Sequence, residues 1–146
     1  MLNIFFHYID RTLPLPNKIK LRHFILRVFE KEKTNIKRIN YIFCSDEYLL
    51  SINKTFLQQD FYTDIIAFNL SDSITPVEGE IYISVDRVRE NSLMLKVKKE
   101  EEFVRVIIHG ALHLCGHKDK TEKELKLMRK MEDNYLMLFK NFYFPK

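Results

Sequence analysis

The stretch that decides the fold reads HGALHLCGHKD and runs from His109 to Asp119. Residues four positions apart lie on the same face of an α-helix, so His109 and His113 share one face. Two imidazoles on one rigid face can each direct a nitrogen at a single metal ion, at ~2.0–2.1 Å. Gly116 can adopt the left-handed conformation that ends a helix. The chain can then fold back and offer a third ligand, for which His117 and Asp119 are the candidates.

The spacing H-x-x-x-H-x-x-G-x-x-[H or D] is that of the metzincin helix and turn, whose third ligand lies six residues after the second histidine. That position is Asp119, so we expect His109, His113 and Asp119 to bind a metal, with His117 as the alternative third ligand. A metzincin peptidase also needs a glutamate general base directly after the first histidine. Gly110 stands there and has no side chain to accept a proton. The pattern therefore favours a metal site and argues against a peptidase.

Three segments carry a resemblance to a known family. HGALHLCGHKD is similar to the HGxLHLxGYDH signature of the YbeY family, the bacterial metal-dependent endoribonucleases and ribosomal RNA maturation factors. The segment 63–68, TDIIAF, resembles that family's TDVLSF, and the segment 79–84, GEIYIS, resembles its GDIVIS. The three blocks occur in the family's order, and the resemblance covers roughly Ile52 to Tyr135.

The chain departs from the family pattern at three positions. Asp119 stands where the family has its third histidine, and His117 stands where an aromatic residue is usual. Leu57 stands where an arginine is usual, upstream of the TDIIAF block. The missing arginine leaves open whether the chain cuts RNA at all.

The resemblance implies a zinc-dependent, single-strand-specific endoribonuclease. It would act in ribosomal RNA processing, at the 3′ end of the small-subunit RNA, and in ribosome quality control. One Zn²⁺ per chain would be held by His109, His113 and Asp119, with the two histidines serving catalysis through the metal. The implied partners are single-stranded RNA, ribosomal RNA and the ribosome or its small subunit. A metallopeptidase with its base elsewhere, and a non-catalytic ribosome-assembly module with a structural metal, are the alternatives.

Three further residues are candidates for substrate binding. The resemblance places Thr63 and Asp64 beside the cleft, at the start of a strand that can align an extended substrate through its backbone. Arg105 lies one turn before His109 on the same helix face and can meet a negative charge, or else pair with Glu101. No residue of the sequence identifies itself as the general base.

Length and composition predict one soluble domain spanning residues 1–146. The net charge of +4 and the pI of about 9.0 suit an approach to phosphate but do not prove it. Cys44 and Cys115 form no C-x-x-C pattern, which favours a reducing cytosol and a role as small core residues. No apolar run approaches the ~18 residues of a membrane helix, and no basic region precedes an apolar start. We therefore expect a cytoplasmic protein.

The hydrophobic periodicity predicts the order β-α-β-α-β-β-α-α-α, an α+β fold with a mixed sheet of about four strands and helices packed on it. The first strand is expected to be covered on both faces, and Glu100 to Glu102 are expected to be solvated acids at the start of the metal helix. The predicted strands are at 2–8, 38–44, 64–70 and 80–85, and Pro14 and Pro16 are expected to form a turn after the first of them. The predicted helices run over 18–31, from Ser45 to about Phe56, over 87–97, and from about 100 to Gly116. A last helix is predicted from a capping box at Thr121 and Glu124 to before Pro145.

Overall fold

The computed structural model describes residues 3–13, 15, 17–72 and 75–143. Within these ranges four strands and five helices follow one another in the predicted order, which confirms the α+β class. They are β1 (Ile4–Tyr8), α1 (Lys18–Lys31), β2 (Ile36–Cys44), α2 (Asp46–Leu57), β3 (Ile65–Asn69), β4 (Val77–Ser84), α3 (Val85–Leu95), α4 (Lys99–Leu114) and α5 (Glu122–Tyr143).

The four strands form one mixed sheet in the order β1-β2-β4-β3. β1 and β4 both run parallel to β2, whereas β3 is antiparallel to β4. The predicted hairpin of the third and fourth strands is therefore confirmed. β3 lies at the edge of the sheet, so one side of its backbone is not paired with another strand.

The prediction that the first strand is covered on both faces is wrong. β1 is the other edge strand, and its burial alternates from Ile4 (1% exposed) to Phe5 (41% exposed). His7 is exposed and its Nε2 lies 2.8 Å from Asn40 Oδ1. The alternation of buried and exposed residues could not be recognised in the sequence, because Phe5 is apolar and yet faces solvent. The predicted strand residue Leu2, and the turn prolines 14 and 16, lie outside the described residues.

α4 is the central helix and packs closely on β4. Its buried residues include Ile107, Ile108, Ala111 and Leu112. A Cβ atom on Gly110 would lie 2.8 Å from Ile81 Cγ2, and a Cβ atom on Gly79 would lie 2.6 Å from Leu114 Cδ1. Both glycines are therefore required for the close approach of helix and strand. Their contacts fix which face of α4 is turned toward the sheet.

The helices cover both faces of the sheet. Buried residues of α1, α3, α4 and α5 share one hydrophobic core with β1, β2 and β4, while α2 packs on a second cluster with Cys44, Leu49 and Ile66. The Tyr41 hydroxyl donates to the carbonyl of Ile107 at 2.9 Å and ties α4 to β2. This bond fixes α4 one half-turn before His109.

Local signals set the helix ends. The Ser45 side chain accepts from the backbone N–H of Tyr48 and caps α2, and the Ser84 side chain accepts from that of Arg87 and caps α3. Thr121 and Glu124 form the predicted capping box, with bonds of 3.0 and 3.1 Å. α3 ends two residues earlier than predicted, because Lys96 adopts a left-handed conformation with φ 56°.

Neither cysteine is engaged in a disulfide, and Cys44 is fully buried, as expected of a small core residue. Cys115 is partly buried against the main core. None of the helices in the described ranges is both long enough and apolar enough to cross a membrane.

Candidate metal centre

The end of α4 has the geometry expected from Gly116. The N–H of His117 donates to the carbonyl of Leu112 at 3.1 Å, and the N–H of Gly116 donates to the carbonyl of His113 at 3.0 Å. This pair of bonds is the Schellman motif, in which the residue after the helix is left-handed. Gly116 has φ 98°. The helix therefore ends at Leu114, and the chain turns back after it.

The turn brings three side-chain atoms together. His109 Nε2 and His113 Nε2 are 3.1 Å apart, and Asp119 Oδ2 lies 3.2 Å from the first and 3.1 Å from the second. The ligand atoms of a tetrahedral zinc with bonds of ~2.0–2.1 Å lie about 3.3–3.4 Å apart. Two imidazole nitrogens and a carboxylate oxygen are also ligand types that zinc accepts. The residues present therefore fit a single metal ion.

The structure places His117 away from this cluster. Its Nε2 lies 2.7 Å from Glu32 Oε1, at the C-terminal end of α1. The other oxygen of Glu32 accepts a short hydrogen bond from the Tyr135 hydroxyl. His117 thus joins the turn to α1 and α5, and the cluster within metal-binding distance consists of His109, His113 and Asp119.

A buried carboxylate orients His109. Glu132 Oε2, on α5, lies 2.6 Å from His109 Nδ1, and Glu132 is only 5% exposed. Burial lowers the pKa of His109, but the hydrogen bond and charge of Glu132, with the charges of Asp119 and Asp64, outweigh burial and raise it. A proton held on Nδ1 by Glu132 leaves the Nε2 lone pair directed at the cluster, as is usual for a metal-binding histidine.

Arg105 completes this network. Its guanidinium lies 3.2 Å from Glu132 Oε1 and 2.7 Å from Asp133 Oδ1. Glu101, the sequence-based alternative, instead accepts from Lys140 at 3.1 Å. Arg105 therefore balances the charge of the carboxylate that holds His109.

The cluster opens onto a cleft with a volume of about 670 Å³. Thr63, Asp64 and Arg105, the three predicted substrate-binding residues, all line it, and so does Leu57. The side chain that replaces the family's arginine is therefore at the cleft and is 42% exposed.

Two carboxyls of the cleft are shifted toward their neutral forms. Burial raises the pKa of Asp64, although the charge of His109 opposes the shift. Burial also raises the pKa of Glu102, with Arg105 opposing. Glu102 is 6% exposed, so the prediction that it is a solvated acid is wrong. The cause is its position, because it faces the cleft and the other carboxyls rather than the free end of α4.

Sequence reasoning missed the roles of Glu132 and Glu102. A signal was present for Glu132, which interrupts the apolar stripe formed by Met128, Tyr135 and Phe139 on α5. A charged residue on a buried stripe needs a partner, and the partner here is His109. Nothing comparable marked Glu102, which stands in a run of three glutamates.

The fold and the site together define a class of protein. Two helical histidines and a carboxylate from the following turn, with one side open to a cleft, have the arrangement of catalytic metal sites in hydrolases, which keep one position open. The solution structure of a Thermotoga maritima protein has the same fold, with a TM-score of 0.62 at 24% identity over 94% of this chain and 92% of that chain.

The comparisons with sequences are more specific. The family described as endoribonuclease YbeY matches residues 10–140. An endoribonuclease YbeY of Cytophaga hutchinsonii is 46% identical over 137 residues, 94% of this chain and 96% of that protein. An endoribonuclease YbeY of Karelsulcia muelleri is 42% identical over 137 residues, again 94% of this chain and 96% of that protein. The chain belongs to the endoribonuclease YbeY family.

Proposed function

We propose that this chain is a zinc-dependent endoribonuclease that cuts single-stranded RNA in ribosomal RNA processing. In this proposal His109, His113 and Asp119 hold the ion, and the small ribosomal subunit or its RNA is the partner in a cytoplasmic setting. Maturation of the 3′ end of the small-subunit RNA and ribosome quality control are the processes that the family resemblance suggests. The observation that carries the proposal is the convergence of three ligand atoms, 3.1–3.2 Å apart, at an open cleft.

The chain's own residues prepare this site. Glu132 fixes the orientation of His109, and Arg105 holds Glu132 in place through an ion pair of 3.2 Å. Bound zinc would supply a Lewis acid that polarises a phosphoryl oxygen and makes water more acidic. Thr63 and Asp64 are proposed to contact the substrate, because they line the cleft at the start of the edge strand β3.

The negative charge of RNA has to be met by cations other than the family's arginine. Arg105, Lys120 and Arg129 line the cleft. Arg105 is engaged by two carboxylates, so only its remaining N–H groups are available to a phosphate. The side chain of Arg129 is 65% exposed, against 18% for that of Arg105, so Arg129 is the more accessible of the two. We propose that Arg129 and Lys120 compensate for Leu57.

The peptidase alternative is weakened by the packing of Gly110. Even one added Cβ would lie 2.8 Å from Ile81 Cγ2 and 3.0 Å from Ile65 Cδ1, so this position faces the sheet. A glutamate there could neither fit nor reach the cluster. The module with a structural metal is compatible with the same geometry, and only an activity measurement separates it from the nuclease.

The test is cleavage by the purified protein after chelation and after return of zinc. The substrates are a labelled single-stranded RNA, the same RNA in a duplex, and a peptide. We expect zinc-dependent cleavage of the single strand alone, and loss of at least ~10³-fold in His113→Ala, because the loss of one ligand removes the ion that the chemistry requires.

The matched control is His23→Ala, because His23 is an exposed histidine on α1, far from the cluster in the sequence. It should keep full activity when purified in the same way. Equal cleavage by His113→Ala and the wild type would mean that the nuclease proposal is wrong. Zinc binding without cleavage of any substrate would support the non-catalytic module.

A further inference from the structure

The cleft has two chemically different sides. The cations that line it, Arg105, Lys120 and Arg129, come from α4, the turn after it and α5, the elements that also carry the ligand cluster. The lining residues from α2, from the 58–64 segment and from α3 include no lysine or arginine. Apart from Thr63 and the carboxyl of Asp64, they are aromatic, aliphatic and amide side chains: Asn53, Leu57, Gln59, Phe61, Asn91 and Leu95.

The neutral side presents an aromatic face to the cleft. Phe61 is 54% exposed, and Leu57 and Leu95 are 42% and 59% exposed. Exposed apolar side chains gathered at one wall of a cleft are characteristic of a binding site. An aromatic ring beside a cationic groove is the arrangement with which proteins hold single-stranded nucleic acid, since every base has a face that can stack.

An unpartnered hydrogen-bond acceptor lies at the same wall. Asn53 is 1% exposed, and its Nδ2 donates to the carbonyl of Phe61 at 2.9 Å. Its Oδ1 is buried and has no partner among the described residues. A buried acceptor without a donor costs about 1–3 kcal/mol, so such groups are commonly completed by water or ligand. What Asn53 Oδ1 lacks is a hydrogen-bond donor, and the N–H groups of a nucleobase are donors of this kind.

We propose that this neutral wall is a subsite for one unstacked nucleobase of the substrate, with Phe61 as the stacking face and Asn53 Oδ1 as the acceptor for a base N–H. The subsite rests on the proposed nuclease function and deepens it. The sugar-phosphate backbone then lies toward Arg129 and the ligand cluster. Because a base can reach Phe61 only when it is out of a helix, the subsite also gives a physical reason for a preference for single strands.

The test is a double-mutant cycle between protein and RNA, measured by fluorescence anisotropy in a His113→Ala background that does not cut. The two RNAs are a labelled single-stranded oligonucleotide and its copy with one abasic position. Phe61→Ala should weaken binding of the intact RNA by roughly 5- to 150-fold, the range found for the loss of one base–aromatic contact. The same substitution should have little effect on binding of the abasic RNA, because that RNA already lacks the base that would stack on Phe61.

The matched control is Phe56→Ala. Phe56 is a phenylalanine with 65% exposure, five positions from Phe61, and it is not among the residues that line the cleft. Its removal should leave RNA affinity unchanged, and Phe61→Trp should retain binding. In the cutting enzyme, Phe61→Ala should raise KM while kcat stays within roughly twofold, because the lost contact is made equally in the ground and transition states.

The proposed hydrogen bond to Asn53 Oδ1 is tested by changing the RNA. Asn53 itself is left unchanged, because its Nδ2 donates to the carbonyl of Phe61 and helps to hold that residue in place. Replacing an adenosine at the sensitive position by purine riboside removes the amino donor and should weaken binding by roughly 3- to 10-fold.

The outcomes separate this subsite from the function on which it rests. A wild type that cuts RNA, with a Phe61→Ala variant that binds intact RNA normally, would overturn the subsite and leave the nuclease standing. A wild type that cuts no RNA would overturn the proposed function itself. If Phe61→Ala impaired only a peptide with an apolar side chain, the wall would belong to a peptide site.

Discussion

At the scale of single residues, the assignment of the third ligand separates two neighbouring candidates, Asp119 and His117. Asp119 and His117 lie two positions apart, but the structure directs them to different partners, the histidine pair and Glu32. The Schellman turn at Gly116 is the cause, because it ends the helix before both residues, so that His117 does not continue the helix face of His109 and His113.

We therefore predict that Asp119→Ala loses zinc while His117→Ala keeps most of it. Asp119→His should also bind zinc, because imidazole and carboxylate are both accepted ligands with similar bond lengths. Elemental analysis and calorimetric titration of the three variants give the answer. Retention of zinc by Asp119→Ala, with loss in His117→Ala, would reverse the assignment.

A second residue-scale prediction concerns Glu132. Glu132→Gln keeps the shape of the side chain but removes the charge that holds the His109 proton, so zinc affinity should fall by roughly 10- to 100-fold. The control is Asp133→Asn, which removes a charge from the neighbouring carboxylate that pairs with Arg105 but does not contact His109. Equal zinc affinities of the two variants would show that Glu132 serves only the ion pair.

A third residue-scale prediction concerns the stability of the variant Gly110→Ala. In an open helix, Gly→Ala stabilises by about 1 kcal/mol. Here the new methyl would meet the fully buried Ile81, so we predict a net destabilisation of about 1–3 kcal/mol. Urea unfolding measures the sign directly. A more stable Gly110→Ala would mean that α4 does not lie as close to β4 as described.

The part of the site that follows from helical periodicity could be predicted from the sequence, and the part that depends on helix packing could not. His109, His113 and Gly116 are separated by three or four positions, so local geometry alone brings the histidines together. The partner of His109, Glu132, is 23 positions away and meets it only because α5 packs on α4. Glu102 was misjudged for the same reason, since its burial depends on elements distant in the chain.

At the scale of whole elements, the burial pattern explains why β2 was predicted correctly and why β1 was wrongly expected to be covered on both faces. β2 alternates visibly in sequence, with Ile39, Tyr41 and Phe43 fully buried, and its main part was predicted correctly. β1 carries apolar residues on both faces although only one is covered, and no local signal separates such an edge strand from a central one. Position in the sheet is a property of the assembled fold.

The cluster also joins two elements, and this leads to a fourth prediction. Two of its residues lie on α4 and the third lies in the connection to α5, so bound zinc should stabilise the docking of α5. At a zinc concentration ~100 times its Kd, the gain would be about 2.7 kcal/mol. We expect chelation to lower Tm by several degrees and to speed amide exchange in α5, but not in β1 and β2.

The control for this experiment is Asp119→Ala, whose Tm should not respond to zinc. A wild-type protein with the same Tm and exchange pattern before and after chelation would contradict the link between the site and α5.

At the scale of the whole molecule, a network of charges connects the segment after β1 to the starts of α2 and α3. Asp10 Oδ1 accepts from the Ser45 N–H at 2.7 Å, and Asp86 Oδ2 accepts from the Asp46 N–H at 2.9 Å. Arg11 pairs with Asp86 at 2.8 Å. These bonds bring distant parts of the chain together around two helix N-termini, where negative charge is favourable.

This network leads to a prediction about acid. Burial raises the pKa of Asp86, but the hydrogen bonds from Arg11 and from Asp46 outweigh it, and its pKa is lowered. Burial also raises the pKa of Asp10, but the hydrogen bonds from Ser45 outweigh it, so this pKa is lowered as well. A carboxyl with a lower pKa in the folded chain stabilises the fold above its unfolded pKa of ~3.9 and loses that contribution as the pH falls through its folded value.

We therefore expect Asp86→Asn to be less stable than the wild type at neutral pH, with the difference shrinking below pH ~4. Urea unfolding at a series of pH values tests this. Asp60→Asn serves as the control, because the Asp60 side chain is 78% exposed and its ion pair, at 3.3 Å, is with the exposed Lys54. A stability difference for Asp86→Asn that stays constant with pH would contradict the argument.

The order of the elements along the chain has one more consequence. All four strands and the first three helices precede His109, whereas the three clustered side chains and Glu132 lie between residues 109 and 132. A chain made from its N-terminus onward has therefore completed every strand before the first histidine of the cluster is added. During synthesis on the ribosome, the growing polypeptide carries the framework without the three-atom cluster. A nascent chain proposed to cut RNA would thus lack part of its ligand set until synthesis has passed residue 119.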